Sequence, residues 1–319
     1  MGSGTRTIIA SPTARRSAVP CERLTRSEFI RHTNHTKSLV GREMARSGTS
    51  FTRVELGVGG RDVEVRIYYP EGDAADLGSL IWLHGGGFRH GSLDMIESDL
   101  VAREVSTISG HAVICVDYAL ASEAARYPTQ LVELKHVRRW VFDHGREYGL
   151  DPQQVRIGGA SAGGNLAAAL TLALRAEESR PVGLALVYPV LDWDLPQDPQ
   201  LAAQIPPRTL ISARSLGAMF EAYTGTDLNH IPIGAVPGRS AALSALPSTL
   251  IITAELDAVR TSGRRLATSL AELRVPHVLT EIPGALHGFL DEQDSVGFHA
   301  AVDEIARWLV TEAELCKKN

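Results

Sequence analysis

The sequence predicts an α/β fold, with a mostly parallel central sheet, helices on both faces and a helical cap. Three observations carry this. Apolar runs without polar alternation recur from residue 79 onward, as in strands buried on both faces. Segments of helical periodicity separate most of them. Between Asp192 and Ser248 about fifty residues break the rhythm with two Pro-rich pieces and a helical run, Ser212 to Tyr223. So long a structureless loop is out of place in a compact domain, so this stretch reads as a helical excursion over one end of the sheet.

The elements follow in order. "FTRVEL" and "RDVEVRIYY" alternate like antiparallel strands, joined by a Gly-rich turn at Gly57 to Gly60. Buried strands are then expected at "SLIWLH", "AVICVDY", "QVRIGG", "GLALVYPVLD", "STLIITAEL" and "HVLTEIPG". Helical periodicity marks 93–109, 128–148, 163–176 and 263–273, and a last helix, 297–315, closes the chain. Residues 1–50 divide from 51–319 as an N-terminal tail that must lie against something else. They carry a capping-box sequence, "TRSE" at Thr25–Glu28, and too few apolar residues for a core of their own.

Composition narrows the function classes. The 319 residues are 44% hydrophobic and 22% charged, ordinary for a globular enzyme-sized chain. No apolar run reaches the roughly 20 residues that span a bilayer, so stable membrane insertion is not expected. A net charge of −5 gives no reason to expect nucleic acid. Residues 1–50 hold nine Lys/Arg against three Asp/Glu, a local +6 that leaves −11 for the rest. The first twenty residues lack the apolar core of a secretory signal. Cys21, Cys115 and Cys316 are too scattered for a disulfide framework or a metal site, and a cytoplasmic location fits.

The chemistry concentrates at two glycine clusters. Strand "QVRIGG" runs into "GASAGGNLAAALTLAL", so Gly159-Ala160-Ser161-Ala162-Gly163 forms a G-x-S-x-G turn between a strand and a helix. Such an elbow holds a serine hydroxyl proud of the sheet, with helix N–H groups aimed at developing negative charge. Of the eleven histidines, His287 in "PGALHGFL" follows the final strand, where this arrangement places the base. The acid belongs at the end of the preceding strand, which offers Glu255 and Asp257. Asp257 is preferred because Glu255 still lies in the strand pattern. The second cluster, "LHGGGF", ends a buried strand at Gly85, Gly86 and Gly87. Their backbone N–H groups, with that of Ala162, are candidate donors to a tetrahedral oxyanion, which a nearby Cβ would obstruct. Phe88, Tyr188 and Trp193 are candidate pocket residues.

These landmarks resemble the hormone-sensitive-lipase-like family of α/β-hydrolases, which includes the bacterial family IV esterases. "HGGGF" at 84–88, "VDYALASEAARYP" at 116–128, "GASAGG" and "HGF" at 287–289 occur in the family's order, and the likeness covers about residues 50–312. The resemblance implies the α/β-hydrolase fold, a Ser161–Asp257–His287 triad, and a cap built from the N-terminus and residues 195–235. It also implies hydrolysis of small-molecule esters without metal or cofactor. Related enzymes often dimerise, and nothing in the sequence decides whether this chain does. Three departures stand out: Ala160 precedes the serine, Thr261 replaces the second acid of the family's acid motif, and Ala119 and Ser122 replace an Arg and a Pro. An amidase or natural-product deacetylase would use the same residues. A non-catalytic receptor on this fold would have lost the histidine that His287 supplies.

Overall fold

The computed structural model describes residues 51–72 and 75–316. The capping-box segment and cap helices expected in residues 1–50 lie outside the described residues. β1 (Phe51–Val58) and β2 (Arg61–Tyr68) form the expected antiparallel pair. The turn is tighter than the one expected from Gly57 to Gly60, because Gly57 still pairs with Asp62. Val54, Leu56 and Val58 are buried while Glu55 and Gly57 are exposed, as in a strand with one wet face.

β2 pairs antiparallel with β4 (Ala112–Val116). From β4 the ladder continues in parallel through β3 (Leu77–Leu83), β5 (Leu150–Ala160), β6 (Gly183–Val187), β7 (Ser248–Leu256) and β8 (His277–Leu286). The eight strands lie in the order β1-β2-β4-β3-β5-β6-β7-β8. Every residue of β4 and β6 is buried, which accounts for their unbroken apolar sequences.

Side chains leave the strands alternately toward two helical layers. On one face Trp82, Val113, Cys115 and Ile252 pack with Val105 of α1 (Val101–Ser109) and Ile305 and Leu309 of α6 (Phe298–Cys316). On the other, Ile81, Ile114, Ile157 and Ile251 meet three further helices, α2 (Thr129–His144), α3 (Ala162–Ala173) and α5 (Arg260–Glu272). Their contributions include Val137, Leu166 and Leu266. Cys115 is a buried free thiol in this core, as its apolar run suggested. No described helix is long and apolar enough to cross a membrane.

Strand order positions the site. From β3 the chain steps to one side, to β4, and from β5 onward it proceeds to the other. The loops after β3 and β5 therefore part at the carboxyl end of neighbouring strands, the switch point at which open α/β sheets bind ligands. The excursion between β6 and β7 holds a single turn at Pro199–Ala202, the helix α4 (Ala213–Thr224) and four 3₁₀ turns. Ser212 caps α4 by accepting the Ser215 N–H at 3.1 Å, and left-handed Gly225 ends it.

The expected helix over 93–109 differs at its start. It opens with a wide π turn, Ile96–Leu100, before α1 proper. The turn brings Glu97 and Ser98 both into the interior. Trp82 holds it there, its indole N–H donating to the Glu97 carbonyl at 2.8 Å.

Candidate active site

β5 delivers Ser161 and α3 begins at Ala162. Ser161 has φ 52° and ψ −115°, a strained backbone for a residue with a Cβ. Its neighbours enforce the strain. The Ser161 N–H donates to Val187 O at 2.9 Å, and its carbonyl accepts from Val190 and Asn165 at 3.2 and 3.1 Å. The turn is tight enough that a Cβ on Gly163 would lie 2.1 Å from Leu83 O. That close approach is why a glycine follows the serine by two.

The side chain lifted by this turn meets the two expected partners. His287, directly after β8, places Nε2 2.9 Å from Ser161 Oγ, and its Nδ1 is 2.7 Å from Asp257 Oδ2. Asp257 follows β7, is 1% exposed, and accepts the Val259 N–H at 2.9 Å through its other oxygen. A carboxylate at Nδ1 favours the tautomer protonated there, leaving the Nε2 lone pair toward the serine. Burial disfavours an imidazolium at His287. The charge and hydrogen bond of Asp257, aided by Glu97, outweigh it and raise the pKa above the usual 6.5. Glu255 points elsewhere, accepting the Gly284 N–H at 2.8 Å.

The glycine loop after β3 is pinned at nearly every polar group. Tyr118 donates to His84 O at 2.7 Å, His84 Nδ1 lies 2.8 Å from Gly85 O, and His90 N–H donates to Gly86 O at 2.9 Å. The Gly85 N–H donates to Glu97 Oε1. Gly85 therefore departs from the expectation that all three glycines offer free donors, because a carboxylate already holds its amide. Among the described residues, the amides of Gly86, Gly87 and Ala162 have no protein acceptor. Gly86 has φ 101°, and a Cβ there would lie 2.1 Å from His90 O. Glycine is required at this position by the loop's own fold, besides any need of a ligand.

Gly86, Gly87, Ser161 and His287 open on a cleft of about 440 Å³. Tyr188 lines it, as expected, with its ring 4.9 Å from that of His287. Phe88 and Trp193 do not. Phe88 is fully buried, stacked on Tyr223 at 3.9 Å and edge-on to Phe220, so α4 has claimed it as packing. Trp193 lies under the Arg239 guanidinium at 5.1 Å. Among the described residues, the cleft walls that sequence reasoning missed are Met95, Glu97, Ile211, Met219, Gly288, Asp291 and Glu292. Glu97 gave no signal, since an acid in the first turn of a helix reads as a solvated partner of the helix dipole. Burial pushes its carboxyl pKa up, against the opposing bonds from Tyr188 and Gly85. Among the described residues, no group of three or more His, Cys, Asp or Glu side chains could hold a metal ion.

Comparison with known proteins identifies the family and fold. A family model described as alpha/beta hydrolase fold matches residues 80–291. The esterase LipI of Mycobacterium tuberculosis is 31% identical over 243 residues, 74% of each chain. The carboxylesterase NlhH of the same organism is 33% identical over 234 residues, 72% of each chain. A solved esterase from Pyrobaculum calidifontis superposes with a TM-score of 0.76 at 26% identity, covering 94% of this chain and 96% of its own. A nucleophile-elbow backbone, a buried acid–histidine pair and a glycine loop at the sheet's switch point thus occur in a chain whose relatives are esterases, and the chain belongs to the hormone-sensitive-lipase-like branch of the α/β-hydrolase family as an enzyme of carboxylesterase type.

Proposed function

We propose that the chain hydrolyses short- to medium-chain carboxylic esters through an acyl-enzyme on Ser161, with His287 as base and Asp257 orienting it. The observation that carries this reading is the unbroken line from Ser161 through His287 to Asp257, at 2.9 and 2.7 Å, opening on the cleft. His287 Nε2 takes the hydroxyl proton as Ser161 Oγ attacks the ester carbonyl. The resulting oxyanion faces the N–H groups of Gly86, Gly87 and Ala162, at the N-terminus of α3, where fixed donors stabilise charge that develops only in the transition state. The imidazolium returns its proton to the departing alcohol. Water, activated by the same histidine, then releases the acid.

The size of the cleft and its Met95, Ile211 and Met219 walls favour a modest acyl chain. A series of p-nitrophenyl esters from acetate to palmitate, with p-nitroacetanilide alongside, tests the reading. Turnover should be greatest on the shorter esters and far slower on the anilide. Preference for the anilide would replace the esterase by an amidase. No turnover, with no labelling by a fluorophosphonate, would leave a binding protein.

A further inference from the structure

Among the described residues, Glu97 is the one buried carboxylate of the cleft that the proposed chemistry leaves without a task. It is 3% exposed, and both of its oxygens are occupied. Oε1 accepts the Gly85 N–H, and Oε2 accepts the Tyr188 hydroxyl at 2.5 Å. Tyr188 stands just past β6, its N–H donating to Ile252 O at 2.7 Å, so a rigid strand pair anchors it. Its ring packs at 4.9 Å on His287 and edge-on to Phe289 at 4.7 Å. One side chain thus reaches the loop of candidate oxyanion donors on one side and the support of the base on the other.

We propose that Glu97 is a positioning residue, whose carboxyl group fixes the peptide of Gly85 against Tyr188 and thereby sets the aim of the Gly86 and Gly87 N–H groups. The inference rests on the oxyanion role proposed above for those two amides. Gly86 and Gly87 both have positive φ and carry no side chain that could lock the loop from within. Their amides are aimed by the peptides they belong to: His84 Nδ1 holds Gly85 O, the Arg89 and His90 N–H groups hold Gly86 O, and Glu97 fixes the Gly85 N–H at the start of that series. The π turn at Ile96–Leu100 has a purpose in this light, since it carries the carboxyl group inward where an α-helical start would leave the register different. Donors held in advance need no reorganisation at the moment of reaction, so a loss of aim should appear in the transition state and spare ground-state binding.

The test compares Glu97→Ala, Glu97→Gln and Tyr188→Phe on a short p-nitrophenyl ester, together with inhibition by a trifluoromethyl ketone, which forms a tetrahedral adduct. Turnover by the wild type and its loss in Ser161→Ala are established first, so that failure of the esterase reading is seen separately. In Glu97→Ala, kcat should fall about 10- to 100-fold, less than the 10²–10³ lost when an oxyanion donor itself is removed. KM should stay within about threefold, and the ketone's inhibition constant should rise in step with the fall in kcat. Glu97→Gln keeps an acceptor for the Gly85 N–H and should recover most of the loss. Tyr188→Phe should show the same pattern more weakly, and it carries the test together with Glu97→Gln if the alanine variant does not fold. A kcat within twofold of wild type in folded Glu97→Ala, or in Tyr188→Phe where that stands in, overturns the proposal. So does a loss expressed in KM, or one that leaves inhibition by the ketone untouched.

Discussion

Ser161 Oγ and His287 Nε2, 126 residues apart in the chain, lie within 2.9 Å of each other. The contact needs β5 and β8, which are not neighbours in the sheet, to end at the same level, with β6 and β7 between them. Ser161→Ala removes one end of the contact without disturbing its frame. The variant should lose about 10⁵–10⁶ in kcat while melting with the wild type, since the remaining donors give only residual catalysis. A fluorophosphonate should label the wild type at this residue alone. Undiminished turnover by the variant would remove Ser161 from the mechanism.

The two acids at the end of β7 separate cleanly. Asp257 is buried on His287 Nδ1, whereas Glu255 is exposed and bonded to the Gly284 amide. Asp257→Asn should cost about 10⁴ in kcat, because the amide favours the wrong histidine tautomer. Glu255→Gln should change kcat by less than about threefold, since it reaches no group of the proposed triad. Reversal of the two results would make Glu255 the orienting acid.

The pH profile follows from the raised pKa of His287. Only the neutral imidazole can accept the serine proton, so activity is present above this pKa and is lost as pH falls through it. Because Asp257 holds the pKa up, the acid limb of kcat/KM should lie above the ordinary histidine value of 6.5. In Asp257→Asn the residual activity should show that limb displaced to lower pH, burial then being opposed by less negative charge. A wild-type limb below 6.5, with chemistry rate-limiting, would contradict the electrostatics of the pair.

Phe88 is expected to matter for stability, and not for acyl-chain preference. Its ring is sealed between Tyr223 and Phe220 of α4. Phe88→Ala should cost about 3–5 kcal/mol of stability by leaving a cavity there. The relative rates on acetate, butyrate and octanoate esters should change little in the protein that remains folded. A changed chain-length order with an unchanged melting temperature would return Phe88 to the pocket.

What could be read from the sequence depended on how local its cause is. The serine was legible because an elbow needs glycines at fixed spacing around it, and here Gly163 meets Leu83 O. His287 and Asp257 were legible through chain order, given the elbow. Phe88 and Trp193 misled because an aromatic near a strand end carries no mark of which layer will cover it. In this fold α4 covers Phe88, and Arg239 covers Trp193. Gly85 and Glu97 were illegible for a shared reason. One extra residue in a helical turn decides that the carboxyl group points inward, and periodicity over so short a stretch does not register it.

The cleft's charge gives a further expectation about substrates. Glu97, Asp291 and Glu292 line it, and among the described residues no Lys or Arg does. Glu97 is occupied by its two donors, whereas Asp291 and Glu292 are exposed beside the Gly288 turn. A carboxylate on an incoming acyl chain would approach two like charges. Even in the dielectric of bulk water each would cost it roughly 0.5–1 kcal/mol at separations of about 4–8 Å. p-Nitrophenyl hemisuccinate should therefore be turned over with a kcat/KM at least about fivefold below that of the butyrate at low salt. The two esters differ in more than charge, so the decisive readings are the changes in that ratio. Raising the salt to 0.5 M shortens the screening length to roughly 4 Å and should narrow the gap. Asp291→Asn with Glu292→Gln should narrow it too, leaving the butyrate rate within about twofold. A gap that ignores both salt and the double substitution would owe nothing to these carboxylates.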